Sequence, residues 1–271
     1  MIDIDTEYLL RRYNKIILMW INEQDKDKSL DLKTLQDQLT QFILRYEQYV
    51  TTERVSVEKY FNFLEQTPYP ILKDALSAGQ FESKAWLREE LLANLGPKKL
   101  GQTLILGGWV GLLGPILFQR ESELGIERIF SMDKDPNCTR YADLLNTPWL
   151  IQDWKYKAFC ADATQIDYSH LIATTTQLID NERKEIDFEI DPLDTIINTS
   201  CEHFPLESWL SSVKKGTLLI LQSNNFHEHP EHTSTHKDLE SFQKDANLSK
   251  VIYAAEKALP KYKRFLLIGQ K

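Results

Sequence analysis

The sequence predicts an α/β fold, in which a largely parallel sheet ends in an antiparallel hairpin and is preceded by a helical domain. Three observations predict it. Apolar residues recur at helical spacing up to about residue 97. From residue 100 onward, short apolar runs typical of strands alternate with helix-like stretches. A glycine-rich turn at 107–114 joins the first strand to a helix. We expect two domains, 1–97 and 98–271.

The first domain is predicted to be a helical cap. Its helical pattern is broken at 67–70 by two prolines, and a further helix over 84–95 is stopped by Gly96 and Pro97. The segment has no histidine, no cysteine and no glycine-rich loop, so it carries no candidate chemistry. It either packs on the sheet or forms a separate bundle for a partner. The apolar positions are Tyr8, Leu9, Tyr13, Ile16, Ile17, Trp20, Leu32, Leu35, Leu39, Phe42, Ile43, Tyr46, Tyr60, Phe61 and Leu64.

The first strand, 103–106, runs directly into Gly107 and Gly108. Gly111 and Gly114 then open a helical run over 112–120. Glycine lets a backbone pass close to a ligand where a Cβ would clash. The helix that follows directs its free N–H groups towards the same place. The stretch is therefore typical of the first unit of a nucleotide-binding α/β sheet.

The remaining elements follow in order. A second strand over 127–135 ends in acidic residues, and Pro136 begins a helix at a position that proline tolerates. Acid also ends the third strand, 158–162. The polar stretch 171–192 is predicted as a helix with a loop. Two buried strands follow at 195–198 and 217–222. The last two runs, 251–255 and 264–269, are too close for a helical crossover, which predicts an antiparallel pair.

This order of strands and helices resembles the class I S-adenosylmethionine-dependent methyltransferases over roughly residues 100–271. The resemblance implies S-adenosylmethionine as cofactor and methyl transfer as the reaction. It implies that the glycine loop passes under the methionine part of the cofactor, and that Asp133 binds the ribose hydroxyls. Asp162 and Ala163 would lie beside the adenine. An ionised carboxylate suits the ribose, since it accepts charge-assisted hydrogen bonds from both hydroxyls.

Two residues depart from the family pattern. Ile105 replaces the usual acid of the first strand, and Trp109 replaces the middle glycine of the loop. The anchor for the cofactor's amino group is therefore missing or displaced. We expect Trp109 to line the cofactor or substrate pocket, with packing in the core as the alternative. Other chemistry on the same cofactor, as in nicotianamine-synthase-like relatives, stays open, and Asp133 and Asp162 are alternatively helix caps.

The stretch 198–204 after the fourth strand carries the densest chemistry. In the methyltransferase family that the sequence resembles, the segment after this strand faces the transferred methyl group. Asn198, Glu202 and His203 are the candidate catalytic residues, with Glu202 and His203 as base and orienting partner. Thr199 is a candidate cofactor contact, and Cys201 a possible nucleophile. The alternative is that Thr199 and Ser200 merely cap the next helix, with Glu202 in its first turn.

A second polar stretch, 222–236, follows the fifth strand at the same edge of the sheet. Gln222, Asn224 and His232 are the candidate substrate contacts. Imidazole and carboxylate together suit zinc or iron. The spacing within His227–His236 matches no standard metal motif, so no metal ligand is assigned. Solvated histidines, a lid over the substrate and a metal site remain three alternatives.

Composition limits the class of protein. The net charge of −8 argues against binding to a nucleic-acid backbone. Three cysteines without metal-type spacing, Cys138, Cys160 and Cys201, indicate a reducing compartment. The start is acidic where a secretory signal is basic, and no apolar run approaches the roughly 18 residues of a membrane span, so we expect a cytoplasmic protein.

The expected methyl acceptor is a small molecule or peptide, and the oligomeric state stays open. The alternatives to a methyltransferase are a metal-dependent enzyme using His203 and the 227–236 loop, or an inactive module that binds a nucleotide or a partner.

Overall fold

A computed structural model describes residues 6–23, 31–50, 57–96, 100–180 and 182–271. The first three ranges form helices alone. They are α1 (Thr6–Glu23), α2 (Leu32–Val50), α3 (Val57–Gln66), α4 (Tyr69–Ala75) and α5 (Ala78–Asn94).

From residue 100 the described chain alternates between strands and helices. The elements are β1 (Gly101–Leu106), α6 (Leu113–Phe118), α7 (Glu121–Leu124), β2 (Ile126–Asp133), α8 (Pro136–Leu145), α9 (Thr147–Leu150), β3 (Tyr156–Cys160), β4 (Ile172–Ile179), β5 (Glu182–Glu189), β6 (Thr195–Asn198), α10 (Glu207–Leu210), β7 (Leu218–Asn224), α11 (Leu239–Ala246), β8 (Lys250–Ala258) and β9 (Lys263–Gln270).

The N-terminal helices follow the apolar periodicity, and the predicted break falls between α3 and α4. The helix predicted to begin at residue 84 begins six residues earlier, at Ala78. The Ser77 side chain caps it by accepting a hydrogen bond from the Gln80 amide. Pro97 and the predicted boundary between 97 and 98 lie outside the described residues.

Seven strands form one sheet in the order β3-β2-β1-β6-β7-β9-β8. The first five strands of this order pair in parallel. Strand β9 lies antiparallel between β7 and β8, which confirms the predicted terminal pair. The carboxyl ends of the parallel strands therefore share one edge, where ligands bind in open α/β sheets. That edge holds the residues after β1, β2, β3, β6 and β7.

The prediction of a helix within 171–192 is wrong. Strands β4 and β5 form a separate antiparallel hairpin, paired from Ile172 with Glu189 to Ile179 with Glu182. The apolar side chains of β5 and the residue after it recur with a period of two, at Ile186, Phe188 and Ile190, and the β-branched threonines of β4 favour a strand. Phe188 packs against Phe130 of β2 at a ring distance of 5.4 Å. The acidic composition concealed this alternation.

The sheet has a hydrophobic core on each face. Helices α1–α6 cover one face together with α8, and Ile220 and Leu266 point towards them. Leu221 and Leu267 alternate to the other face, where they pack with α10 and α11. Cap helices and sheet thus share one core. Among the described helices, none has both the length and the apolar character needed to cross a membrane.

Candidate functional site

The glycine loop after β1 is packed closely on the protein's own side chains. A Cβ on Gly108 would lie 1.9 Å from the Ser131 Oγ. Gly111 adopts a positive φ of 74°, and a Cβ there would lie 2.5 Å from the Tyr156 Oη. Gly107, also at positive φ, faces Ser200 of the β6 end. The loop therefore needs glycine, because its backbone packs closely against side chains of β2, β3 and the segment after β6. This packing places the loop at the carboxyl edge of the sheet.

Asp133, at the end of β2, lies beside this loop. Its Oδ2 accepts a hydrogen bond from the Trp109 amide at 2.9 Å, and its Oδ1 accepts one from the Asp135 amide at 3.0 Å. The carboxylate is half-buried and so reachable from solvent. The Trp109 side chain is also half-buried and packs against the core that the cap and sheet share. Ile105 is fully buried in that core.

Asp162 and Ala163 follow β3 at the same edge. The Oδ1 of Asp162 accepts hydrogen bonds from the amide and the hydroxyl of Thr164, and the first of these mainly lowers the pKa of Asp162. Asp162 is exposed, whereas Ala163 is buried and its carbonyl accepts a hydrogen bond from the Tyr168 hydroxyl at 2.8 Å. The residues predicted to bind the adenine therefore form a structured turn beside β2.

Glu202 is the centre of a buried polar cluster. Only 4% of its surface is exposed. Its Oε1 accepts hydrogen bonds from the Asn224 Nδ2 at 2.8 Å and from the Arg264 Nη1 at 2.5 Å. Arg264 also donates to the carbonyl of Thr199. The other carboxylate oxygen, Oε2, is buried and has no hydrogen-bond partner among the described residues. The segment after β6, strand β7 and strand β9 thus each supply part of the cluster.

His203 and His232 lie next to Glu202. Their ring centroids are 5.0 Å apart, edge to face. One ligand atom from each of the three side chains lies within 4.8 Å of the others. His203 is exposed by surface area, yet enough protein surrounds its ring that desolvation lowers the pKa of His203, and the ring is neutral at pH 7. The Nδ1 of His232 hydrogen-bonds to the Phe226 carbonyl at 2.8 Å.

Other predicted residues lie deeper. Asn198 is fully buried, and its Oδ1 accepts a hydrogen bond from the Ser200 amide at 2.8 Å. Gln222 is also fully buried and hydrogen-bonds to Ser83 of α5, so it faces the cap. Burial raises the pKa of Cys201 well above that of an ordinary thiol, which leaves it protonated and unsuited to nucleophilic attack.

Sequence reasoning missed two basic residues of the site. Arg264 pairs with Glu202, and its signal in the sequence was a cation, next to Lys263, at the start of an otherwise apolar strand. Lys84 comes from α5, and burial, with the nearby charge of Arg264, lowers the pKa of Lys84 to about 7. The sequence of its helix has no histidine, cysteine or glycine-rich loop that would have indicated a site. Both residues arrive from elements distant in the chain.

His236 is separate from this cluster. Its Nδ1 lies 2.9 Å from the Ser223 Oγ, and its Nε2 lies 3.0 Å from Asp245 Oδ2 on α11. Ser223 is fully buried, so no substrate reaches its hydroxyl. This arrangement fastens the 225–238 loop to α11.

A groove of about 480 Å³ opens beside the cluster. The loop after β7 forms one wall with Phe226 and His227, and the β8–β9 turn forms the other with Pro260 and Tyr262. The rings of Phe226 and Tyr262 stack at 5.8 Å. Because the Phe226 carbonyl also holds His232, the groove and the cluster share one loop.

Comparison with known proteins gives relatives by structure alone. No protein-family model matches the sequence, and no curated protein matches it. The N-methyltransferase NodS from Bradyrhizobium japonicum WM9, solved with S-adenosyl-L-homocysteine, is 11% identical, with a TM-score of 0.51 over 79% of this chain and 97% of that one. Magnesium protoporphyrin IX methyltransferase ChlM from Synechocystis PCC 6803, with bound SAM, is 15% identical, with a TM-score of 0.46 over 92% of this chain and 100% of that one.

At this level of identity, a structural match establishes the fold. Function depends on the particular residues of the site. The chain has the fold of the class I S-adenosylmethionine-dependent methyltransferases.

Proposed function

We propose that this protein is an S-adenosylmethionine-dependent methyltransferase that acts on a small molecule or peptide. One observation carries the proposal: in a sheet with the methyltransferase strand order, a half-buried carboxylate, Asp133, stands at the end of β2 against the glycine loop. The alternative of a metal-dependent reaction without this cofactor has no comparable support from the fold.

The residues present fit the adenosine half of the cofactor. Each oxygen of Asp133 accepts one backbone hydrogen bond and keeps capacity for another, as ribose hydroxyls require. Asp162 and Ala163 stand at the neighbouring strand end for the adenine, with Thr199 at the end of β6. Gly107, Gly108, Trp109 and Gly111 belong to the loop after β1 at this edge, and we assign them to the methionine part of the cofactor. The buried, apolar Ile105 offers no anchor for the amino group.

The bound cofactor supplies an electrophilic methyl group. This chain's residues then have to orient the acceptor and remove its proton. His203, which is neutral at pH 7, has a lone pair for that proton, and Glu202 lies next to it. Asn198 and Asn224 hold the backbone of the two loops that carry these groups, through the Ser200 and Phe226 amides. In this scheme Gln222 holds helix α5 of the cap against β7 through its hydrogen bonds to Ser83.

Calorimetry with S-adenosylhomocysteine tests the proposal. We expect the wild type to bind it, and Asp133→Asn to weaken binding by about 1.5–3 kcal/mol, or about 10- to 150-fold, because a charge-assisted hydrogen bond is lost. Asp153→Asn is the matched control. Asp153 is also an aspartate and is more exposed than Asp133, but it precedes β3 and therefore lies at the opposite edge of the sheet.

Two outcomes contradict the proposal. One is that the wild type fails to bind S-adenosylhomocysteine. The other is that Asp133→Asn binds it as tightly as Asp153→Asn does. Binding without turnover on any acceptor tested would favour the inactive binding module instead.

A further inference from the structure

We propose that Glu202, His203 and His232 bind a divalent transition-metal ion. Two imidazoles and one carboxylate form a donor set that suits zinc or iron. One ligand atom from each lies within 4.8 Å of the others. Ligand atoms around an ion at about 2.1 Å stand roughly 3–3.5 Å apart, so modest side-chain rotations complete the site.

The first argument is the unpartnered oxygen of Glu202. The residue is 4% exposed, and no atom in the part of the chain that the structure describes makes a hydrogen bond with its Oε2. A buried carboxylate oxygen without a partner is costly, because it has lost its water and gained nothing in return. A cation bound to Oε2 removes that cost. The feature therefore indicates a missing positive ligand on this side of the carboxylate.

The second argument is the orientation of His232. Its Nδ1 hydrogen-bonds to the Phe226 carbonyl at 2.8 Å. A carbonyl accepts only, so Nδ1 carries the proton and Nε2 keeps its lone pair. This is the outer hydrogen bond that metal-binding histidines make, and it fixes both tautomer and ring position. His203 is exposed, so an ion from solvent can reach the site.

Arg264 does not prevent cation binding. Its guanidinium contacts Oε1 of Glu202, together with Asn224, and leaves Oε2 to the ion. A carboxylate with a guanidinium on one oxygen and a metal on the other holds the two cations apart. The guanidinium then acts as the outer partner that orients the metal-bound carboxylate.

The ion would replace His203 as the group that activates the acceptor, because a histidine lone pair that binds the ion is not free to take a proton. Three protein ligands leave a coordination position open. An oxygen-bearing acceptor bound there would lose its proton to solvent more readily. Its oxygen would then form the bond to the methyl group as the bond from that methyl to the cofactor sulfur breaks, leaving S-adenosylhomocysteine. This role rests on the proposed function. Binding of the ion does not.

The test is calorimetry with Zn²⁺ and with Mn²⁺ on the full chain, after chelator treatment and without S-adenosylmethionine. We expect one ion per chain. His203→Gln and His232→Gln should each weaken binding at least about tenfold, the least seen when even an outer partner of a metal is lost. His227→Gln is the matched control. His227 lies in the same loop, and its ring hydrogen-bonds to Thr235, outside the cluster.

The proposal is overturned if the wild type binds neither ion. It is equally overturned if His203→Gln and His232→Gln bind as the His227→Gln control does, since the ion is then held elsewhere on the surface. Glu202→Gln is a further variant, and the histidine variants keep the test decisive if it fails to fold. Failure of methyl transfer alone would leave these ion measurements unchanged.

Discussion

At the scale of single residues, two carboxylates show how neighbours decide a role. Asp133 accepts backbone hydrogen bonds on both oxygens and stays half-buried, which suits a polar ligand from solvent. Glu202 is buried and uses one oxygen for Arg264 and Asn224. Both were predicted as site residues because they follow strands. Only their partners separate a proposed ribose acceptor from a proposed metal ligand.

The glycine loop gives a residue-scale prediction. Gly111→Ala places a Cβ 2.5 Å from the Tyr156 hydroxyl at a φ of +74°. We expect a loss of about 2–5 kcal/mol, from the positive φ and from overpacking. Gly79→Ala is the control, because nothing lies within 4 Å of its Cβ position in α5. It should change stability by no more than about 1 kcal/mol, towards greater stability.

Urea unfolding of the two variants provides the measurement. If Gly111→Ala were as stable as Gly79→Ala, the loop would have room to adjust. Its glycine would then reflect closeness to a ligand and not to Tyr156.

At the scale of elements, the β4–β5 hairpin shows how composition misleads. The stretch looked helical because it is polar and acidic, yet the apolar side chains of its second half, Ile186, Phe188 and Ile190, recur with a period of two. Phe188 contacts the rings of Phe130, Trp154 and Phe159, and so attaches the hairpin to the sheet domain. Tertiary contacts of one face decided the structure, as is common for strands.

The hairpin gives an element-scale prediction. Phe188→Ala should lower the free energy of unfolding by about 2 kcal/mol, roughly half the cost of truncating a fully buried phenylalanine, since Phe188 is half-buried. Glu185→Ala, an exposed position on the same strand, should stay within about 0.5 kcal/mol of wild type. Thermal and urea unfolding compare the two. Equal stabilities would mean that the hairpin is not anchored by this ring.

At the scale of the whole molecule, the cap and the sheet share a core. Trp20 of α1, Leu87 of α5 and Ile220 of β7 belong to one buried cluster. Hydrogen bonds between Ser83 and Gln222 tie α5 to β7 near the candidate site. The separation into domains 1–97 and 98–271 remains a prediction. The continuous core argues that the two parts unfold together.

Hydrogen exchange with increasing urea measures this directly. Peptides from α5 and β7 should exchange with the same free energy of opening, because neither can unfold without exposing the shared core. Peptides from β4–β5, which is outside the seven-stranded sheet, should exchange more readily and serve as the comparison. If the amide hydrogens of α1–α5 exchanged at clearly lower urea concentrations than those of β7, the cap and the sheet would not unfold as a single cooperative unit.

The sequence by itself determined the α/β class, the helical N-terminal part and the antiparallel end, because apolar periodicity is local and survives without the fold. It also brought Asp133, Glu202 and His203 to attention, since parallel strands end at one edge. Tertiary structure alone decided which side chains meet there. Arg264 reaches Glu202 across 62 residues because β9 inserts between β7 and β8. A local sequence pattern does not encode a contact between residues so far apart in the chain. Long-range packing likewise made the acidic stretch 171–192 a hairpin and not a helix.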